Sequence, residues 1–299
     1  MENYVIHLKD FPGSLSAWTI KRLPFQPNGW MEVFRSELKT NLAKIIFPEN
    51  QILHATYTSE ITGNFDIENI LFYNVGPGSF SHLTKNGLIF ESCIQHPVIP
   101  GTQDYPHLYN YSGVDPETGF KNWKMMDILA AWKKIVCPAL NSTLKPHHFW
   151  HLFKKNIKSI LGKLPVEDNF GINLKIHYPH EKQCNLSGSI KPIIDGIVSA
   201  FHVHDGSNLE YCTSWLTKHL PEPNENLQKL LINEDISILG KTNLIFPFKK
   251  GIMWNPMDSK CMACKMVLIP EKSCYEWSID GEIFRISPVN QKSQLILPT

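Results

Sequence analysis

The sequence lacks several features that would assign a function directly. No stretch approaches the roughly 18–20 consecutive apolar residues of a transmembrane helix. The opening segment, MENYVIHLKDFPG, has no basic stretch followed by a long apolar run, so no secretory signal is predicted. No glycine-rich loop has the spacing of a dinucleotide or nucleoside-triphosphate site, and the GPGS segment at 76–79 is not a nucleophile elbow. We therefore expect no nucleotide cofactor and no membrane partner.

The cysteines do not form a recognisable framework either. They number seven, an odd count scattered from Cys93 to Cys274, which is typical of reduced thiols in the cytoplasm. Cys261, Cys264 and Cys274 could supply three zinc thiolates, but no second Cys-x-x-Cys or His-x-x-x-His pair accompanies them. The segment that begins at Cys261, CMACKMVLIP, also alternates like a strand, which would place its two sulfurs on opposite faces. We therefore predict buried cysteines and a cytoplasmic protein.

Charge is balanced overall but unevenly distributed. The 299 residues are 42% hydrophobic and 19% charged, with a net charge of +1, as in a folded globular protein. Between Lys121 and Lys163 there are nine lysines and one acidic residue, Asp127. Three of these lysines share one predicted helix: Lys154, Lys155 and Lys158. They are either the solvated face of an amphipathic helix or a nucleic-acid-binding surface, since clustered lysines neutralise phosphates whatever the net charge.

A helix, a strand and a polar loop occur twice in the same order. Apolar residues at helical spacing predict helices over 29–46 and 145–164. Segments with the pattern of half-buried strands, 52–60 and 171–179, follow them. The polar loops that complete the two units are 61–69 and 180–189.

This repeated order predicts an α+β fold with two similar halves, each a small mixed sheet packed with helices. A short identity supports the alignment, because SFSH followed by Asn-Gly in the first half faces SAFH followed by Asp-Gly in the second. We place the halves at 1–140 and 141–299, joined near the loop-like segment CPALNSTLK. An internal duplication would make the chain a covalent pseudo-dimer. The alternative is a coincidence between two common α+β segments.

The first half carries two carboxylates just after its predicted strand. Asp66 and Glu68, at i and i+2 of an extended segment, would point the same way and could hold one hard divalent cation. Asn69 could orient them or cap the next helix. The alternative is a polar turn without a ligand.

The second half carries a lysine and two aspartates around an apolar helix. Ser189 is a plausible N-cap for a helix whose first turn contains Lys191. Lys191 and Asp195 are four residues apart and share one face, while Asp205 lies beyond the helix. His202 and His204 flank Asp205 and could act as a general acid or base there. The alternative for Lys191 and Asp195 is an exposed ion pair worth about 0.3–0.5 kcal/mol.

Taken together, these two groups of residues resemble the RusA-type Holliday-junction resolvases. That family comprises small dimeric endonucleases with an Asp-x-Asp-Asn motif after a strand, followed by a lysine, a helical aspartate and a further acidic residue. The matching residues here are Asp66, Glu68, Asn69, Lys191, Asp195 and Asp205. The resemblance implies that Asp66, Glu68 and Asp205 bind Mg²⁺, and that Lys191 assists phosphodiester cleavage. It likewise implies catalytic roles for Asp66, Glu68 and Asp195.

The match is divided between the two halves. The first half has Phe72, Gly76 and Asn86 at the positions of the lysine, the helical aspartate and the last acid. The second half has Asn185 and Ser187 where the first two acids should be. Either the halves contribute to one cleft, or the half-sites lie apart and the protein binds without cutting.

Three functions follow from these alternatives. The first is a divergent nucleic-acid-processing protein acting as a Mg²⁺-dependent endonuclease of resolvase-like type. The second is a non-catalytic member of the same fold that binds nucleic acid or a protein. The third is an unrelated enzyme, which would have a deep apolar pocket elsewhere.

Overall fold

The structure, a computed structural model, describes residues 2–9, 13–61, 65–98, 101, 103–141, 143–182, 184–272 and 275–289. The helices are α1 (Trp30–Leu42), α2 (Pro146–Asn156), α3 (Ile190–Ala200), α4 (Leu209–Leu216) and α5 (Asn224–Ile232). A π-helical turn lies at Asn69–Tyr73, and 3-10 turns lie at Pro77–Phe80 and Asp258–Lys260. None of the helices in the described ranges is both long and apolar enough to span a bilayer.

The first seven strands are β1 (Tyr4–Lys9), β2 (Ser14–Thr19), β3 (Ile52–Thr58), β4 (Gly87–Cys93), β5 (His107–Val114), β6 (Trp123–Cys137) and β7 (Asn169–Pro179). The others are β8 (Val203–His204), β9 (Lys241–Thr242), β10 (Ile245–Phe248), β11 (Gly251–Trp254), β12 (Cys261–Glu271) and β13 (Trp277–Pro288). Together with the helices, they make the chain α+β, as the sequence predicts.

Nine of the strands form one continuous sheet in the order β1-β2-β5-β3-β4-β12-β7-β13-β6. It is a mixed sheet, because β3 runs parallel to β4 and β7 runs parallel to β12, whereas the remaining neighbours are antiparallel. The main cluster of buried apolar side chains includes residues from Leu15 to Ile283, so it joins both halves of the chain. The site described below lies where the two halves meet at the centre of this sheet.

The predicted elements are present with shifted ends. The strands predicted at 52–60 and 171–179 are β3 and β7. The helix predicted at 145–164 is α2, which ends at Asn156 because Ile157 adopts an extended conformation and is buried. Amphipathic spacing therefore located the helix, while packing of Ile157 ended it early.

The two halves have matching strand connections. β3 lies between parallel β4 and antiparallel β5, and β7 lies in the same way between parallel β12 and antiparallel β13. This is the arrangement expected of related halves, and the duplication itself stays a prediction. A boundary at residue 140 assigns β6 to the first half, whereas β6 pairs with β13 of the second half. The strand order thus associates β6 with the second half.

α3 owes its position to a close contact with α2. A Cβ atom added at Gly196 would lie 2.7 Å from the carbonyl oxygen of Pro146 and closer still to the Cβ of Phe149. Only a residue without a side chain lets the two helices approach this closely. Gly196 therefore helps to set the position of the helix that carries Lys191 and Asp195.

Candidate functional site

Asp66 and Glu68 lie in the connection that follows β3. Glu68 has helical backbone angles and directly precedes the π-helical turn, so the segment is not extended as predicted. The side chain of Asn69 donates a hydrogen bond of 2.6 Å to Oδ2 of Asp66 and so orients that carboxylate. Ile67, between the two acids, is buried and anchors the segment.

A third carboxylate, Asp258, joins these two acids. It begins the short 3-10 turn that leads into β12, immediately after Met257, whose φ of 47° is left-handed. One ligand atom from each of Asp66, Glu68 and Asp258 lies within 4.8 Å of the other two, and no other such group occurs within the described ranges. These three acids therefore form the candidate metal centre.

Two of the three acids are buried with an unsatisfied oxygen. Glu68 is fully buried and Asp258 is only 5% exposed. Among the described residues, none forms a hydrogen bond to Glu68 Oε2 or Asp258 Oδ2, although Lys191 Nζ lies 3.8 Å from the latter. Because a buried oxygen without a partner carries a desolvation cost of about 1–3 kcal/mol, such atoms favour binding of a cation or another donor.

Lys191 connects the acids across the two halves. Its Nζ lies 3.0 Å from Asp195 Oδ1, 3.2 Å from Glu68 Oε1 and 3.8 Å from Asp258 Oδ2. Burial by itself lowers the pKa of Lys191, but the negative charges of Asp195, Glu68 and Asp258 outweigh it and hold this pKa above its usual value. Lys191 is therefore a charged ammonium group, and its pairing with Asp195 is part of a buried network.

The carboxyl groups hold protons more tightly than they would in water. Burial, and then the charge of Asp258, raises the pKa of Asp66 to about 7. Burial and the charges of Glu68 and Asp195 raise the pKa of Asp258 to about 7 in the same way. Burial raises the pKa of Glu68, and it raises that of Asp195 to about 6 although Lys191 opposes the shift. Four carboxyl groups thus lie around the single ammonium group of Lys191, so that further positive charge at this site would be favourable.

The network opens into a cleft of about 730 Å³. Asp66, Lys191, Asp195 and Asp258 line it directly. The other lining residues are Asn169, Trp254, Asn255, Pro256, Met257, Ser259, Lys260 and Met262. A solute can therefore reach three of the four acids and the ammonium group.

Asp205, the third predicted metal ligand, does not join this cluster. It is exposed, and its Oδ1 accepts a hydrogen bond of 2.8 Å from the backbone N–H of Ser207. The prediction that Asp205 binds the same cation as Asp66 is therefore corrected. α3 is the physical reason, since about 15 Å of helix separates Lys191 in its first turn from the loop that carries Asp205. Asp258 takes the place that Asp205 was expected to have.

The two histidines beside Asp205 contact backbone carbonyl oxygens instead of facing the acids. His202 is buried, its Nδ1 lies 3.3 Å from the carbonyl oxygen of Gly240, and burial lowers its pKa to about 4. His204 Nε2 lies 2.8 Å from the carbonyl oxygen of Ser207. Neither lines the cleft that contains the acids. Their predicted role as general acid or base beside a metal-bound Asp205 therefore has no structural basis.

The predicted lysine face is largely used within the fold. Lys154 is buried, and its Nζ donates to the carbonyl oxygen of Asn233 at 3.3 Å. Lys155 forms an ion pair of 2.7 Å with Glu222, and the Nζ of Lys158 donates to the carbonyl oxygen of Lys155. A phosphate chain would have to displace these contacts, which argues against Lys154, Lys155 and Lys158 as a nucleic-acid-binding surface.

In the part of the chain that the structure describes, the cysteines do not have the arrangement of a zinc site. Cys261 and Cys264 are free, buried thiols on β12, and burial raises the pKa of each well above its usual value. Within the described ranges, neither sulfur belongs to a group of three potential metal ligands. Cys274, the third predicted zinc candidate, lies outside the described residues.

Sequence reasoning missed Asp258 as a site residue. The available signal was an aspartate in a polar turn, after Pro256 and directly before the alternating strand β12. That signal is weak because many exposed turns contain an aspartate. In comparisons with known proteins, no family model, no curated protein and no solved structure matches this chain.

Proposed function

We propose that this protein is a divalent-metal-dependent endonuclease, with Mg²⁺ held by Asp66, Glu68 and Asp258. The observation that carries the proposal is the convergence of three carboxylates at the wall of a cleft, two of them buried with an oxygen that accepts no hydrogen bond from the described residues. Mg²⁺ prefers such carboxylate ligands and completes its shell with water and substrate phosphate. A bound Mg²⁺ would supply charge stabilisation for a phosphoryl oxygen and a more acidic water.

Lys191 is the residue that would stabilise the reacting phosphate. Its ammonium group lines the cleft and is held in place by Asp195 and Glu68. A positioned cation of this kind stabilises the negative charge that develops on the phosphoryl oxygens. Asp195 acts through Lys191 in this proposal and is a positioning residue.

The surroundings of the cleft favour a nucleic acid as substrate. A neighbouring cavity of about 320 Å³ shares Met257 and Lys260 with the cleft and is also lined by Lys163 and Lys241. Lysines along a continuous path can neutralise successive phosphates of one strand. Trp254 lines the cleft and offers an aromatic face for a base.

A cytoplasmic location belongs to the same proposal. Cys137, Cys184 and Cys212 are free thiols, as are Cys261 and Cys264. Free thiols are typical of a reducing compartment, where nucleic acids are also present.

The test is Mg²⁺- or Mn²⁺-dependent cleavage of labelled branched, single-stranded and duplex DNA. Asp66→Asn and Asp258→Asn should each reduce cleavage by at least 100-fold, because each removes a ligand charge. Asp205→Asn is the matched control, since Asp205 is exposed and outside the cluster, and it should cleave like the wild type. Equal activity in the wild type and Asp258→Asn would contradict the proposal.

A second candidate, a non-catalytic nucleic-acid- or protein-binding protein, is favoured by one observation. Lys191 lies within 4.0 Å of Glu68, Asp195 and Asp258, so the acids are partly compensated without any metal. Calorimetric titration with Mn²⁺ separates the two candidates. Mn²⁺ binding to the wild type that Asp258→Asn abolishes supports the nuclease. The lack of any Mn²⁺ binding to the wild type supports the second candidate.

A further inference from the structure

The acidic centre takes its residues from both halves of the chain. Asp66 and Glu68 follow β3, whereas Lys191 and Asp195 lie on α3 and Asp258 precedes β12. The strands at the centre of the sheet, β4 and β12, are antiparallel, as a two-fold axis between the halves requires. A two-fold relation would produce a second, equivalent place, formed by the segment after β7 and the turn before β4.

Those two segments do meet. Ser187 follows β7 and Ser81 lies in the turn before β4, and their hydroxyl oxygens are 3.1 Å apart although 106 residues separate them in the chain. Ser187 also donates a hydrogen bond of 2.8 Å to Oδ1 of Asn185. The contact between Ser187 and Ser81 thus joins the segment after β7 to the connection before β4, as the approach of Glu68 to Asp258 joins the segment after β3 to the turn before β12.

The second place has lost the residues for chemistry. Asn185 and Ser187 stand where the acidic centre has Asp66 and Glu68. The positions corresponding to Lys191 and Asp195 are Phe72 and Gly76. Phe72 is fully buried. Neutral hydroxyl and amide groups that satisfy one another have no need of a cation.

We infer that the chain is a pseudo-dimer with one competent site and one degenerate site, and that it therefore nicks a single strand per binding event. This inference rests on the proposed nuclease function. Each event adds one water across one phosphodiester: a new bond forms between the water oxygen and phosphorus, and one P–O ester bond breaks. One water proton passes to the departing oxygen. The opposite strand stays intact because the described residues contain no second group of acids across the two-fold axis.

The experiment uses a supercoiled plasmid with an extruded inverted repeat, in excess over the full-length protein, with Mn²⁺. The expected product is nicked circles, with linear DNA appearing only after a lag as independent second nicks accumulate. Linear DNA formed without a lag would overturn the inference while leaving the nuclease proposal standing. Failure to produce either product would remove the nuclease proposal, and the inference with it.

Metal binding can be measured without cleavage. Titration of the wild type with Mn²⁺, followed by electron paramagnetic resonance, should show Mn²⁺ binding that Asp258→Asn abolishes completely. Ser187→Ala, in the second place, should leave both the Mn²⁺ binding and the nicking rate unchanged. Mn²⁺ binding that survives in Asp258→Asn but is lost in Ser187→Ala would show that the second place binds metal and would overturn the inference.

Discussion

Lys191 Nζ lies 3.2 Å from Glu68 Oε1, across 123 residues of sequence, and this ion pair joins α3 to the segment after β3. Glu68 is fully buried, so its charge has little access to water. Lys191 is consequently both a structural partner of a buried acid and the cation that faces the cleft. These two roles can be separated by mutation.

Lys191→Met should destabilise the protein by about 3–5 kcal/mol, because it leaves a buried carboxylate without its partner. The double variant Lys191→Met/Glu68→Gln should recover part of that loss, since the uncompensated charge is removed. Urea denaturation of the two variants and of Glu68→Gln measures the coupling. An equal free energy of unfolding for Lys191→Met and the wild type would show that the pair contributes nothing.

Divalent metal should stabilise the folded protein. A cation that binds only the folded state adds about 2.7 kcal/mol at 100 times its dissociation constant, so the melting temperature should rise with Mn²⁺ concentration. Asp66→Asn should abolish most of this rise, because Asp66 is a proposed ligand. Differential scanning calorimetry measures it, with Asp205→Asn as the control that should keep the full shift. A shift that persists in Asp66→Asn would place the metal elsewhere.

Gly196→Ala should destabilise the protein by about 1–3 kcal/mol, although alanine favours helices, because the added methyl group meets the backbone of α2. The displaced α3 should also move Lys191 and reduce cleavage. Gly188→Ala is a suitable control, since a Cβ at Gly188 would meet nothing within 4 Å. Urea denaturation and cleavage rates measure the two effects. The expected packing role of Gly196 would be wrong if both variants behaved alike.

Burial of His147 should make the protein less stable in acid. Burial, and then the nearby His148 and His219, lowers the pKa of His147 to about 3, against 6.5 for an unperturbed histidine. Below pH 6.5 the unfolded chain therefore binds a proton that the folded protein excludes, and stability is lost as the pH falls towards 3. The contribution of this group has a slope of up to about 1.4 kcal/mol per pH unit.

His147→Phe should flatten that dependence. Denaturant midpoints between pH 4 and 7 measure the effect, and His180→Gln, at an exposed position, should reproduce the wild-type slope. An unchanged slope in His147→Phe would assign the acid sensitivity to other groups.

Nucleic-acid binding should depend on the lysines near the cleft and not on those of α2. Lys163 and Lys241 are exposed and line the neighbouring cavity. Replacing both by glutamine should reduce the slope of log affinity against log salt concentration by the amount expected for about two phosphate contacts. Lys155→Gln should have a smaller effect, because Lys155 is paired with Glu222. Fluorescence anisotropy at several salt concentrations distinguishes them. A larger effect of Lys155→Gln than of the Lys163 and Lys241 replacements would instead support the α2 surface predicted from sequence.

Local sequence patterns determined where several helices and strands lie and which neighbouring side chains share a face. The periodicity of apolar residues located α1, α2, β3 and β7, and the spacing of Lys191 and Asp195 correctly placed them on one helix face. These features depend on residues within a few positions of one another, whose relative directions follow from helix and strand geometry. Asp66 and Glu68 do contribute to one cluster, but the extended segment from which this was predicted is helical at Glu68, so the predicted reason was wrong.

Only the tertiary structure decided which distant segments meet. β12 lies between β4 and β7 in the sheet, and this order brings Asp258 to the acids after β3, while the length of α3 keeps Asp205 away. In the same way, packing against the segment around Asn233 buries Lys154, which the sequence pattern placed on the surface. Spacing along the chain determines which side chains share an element. The contacts between elements depend on the strand order and packing of the whole sheet, and here these chose Asp258 over Asp205.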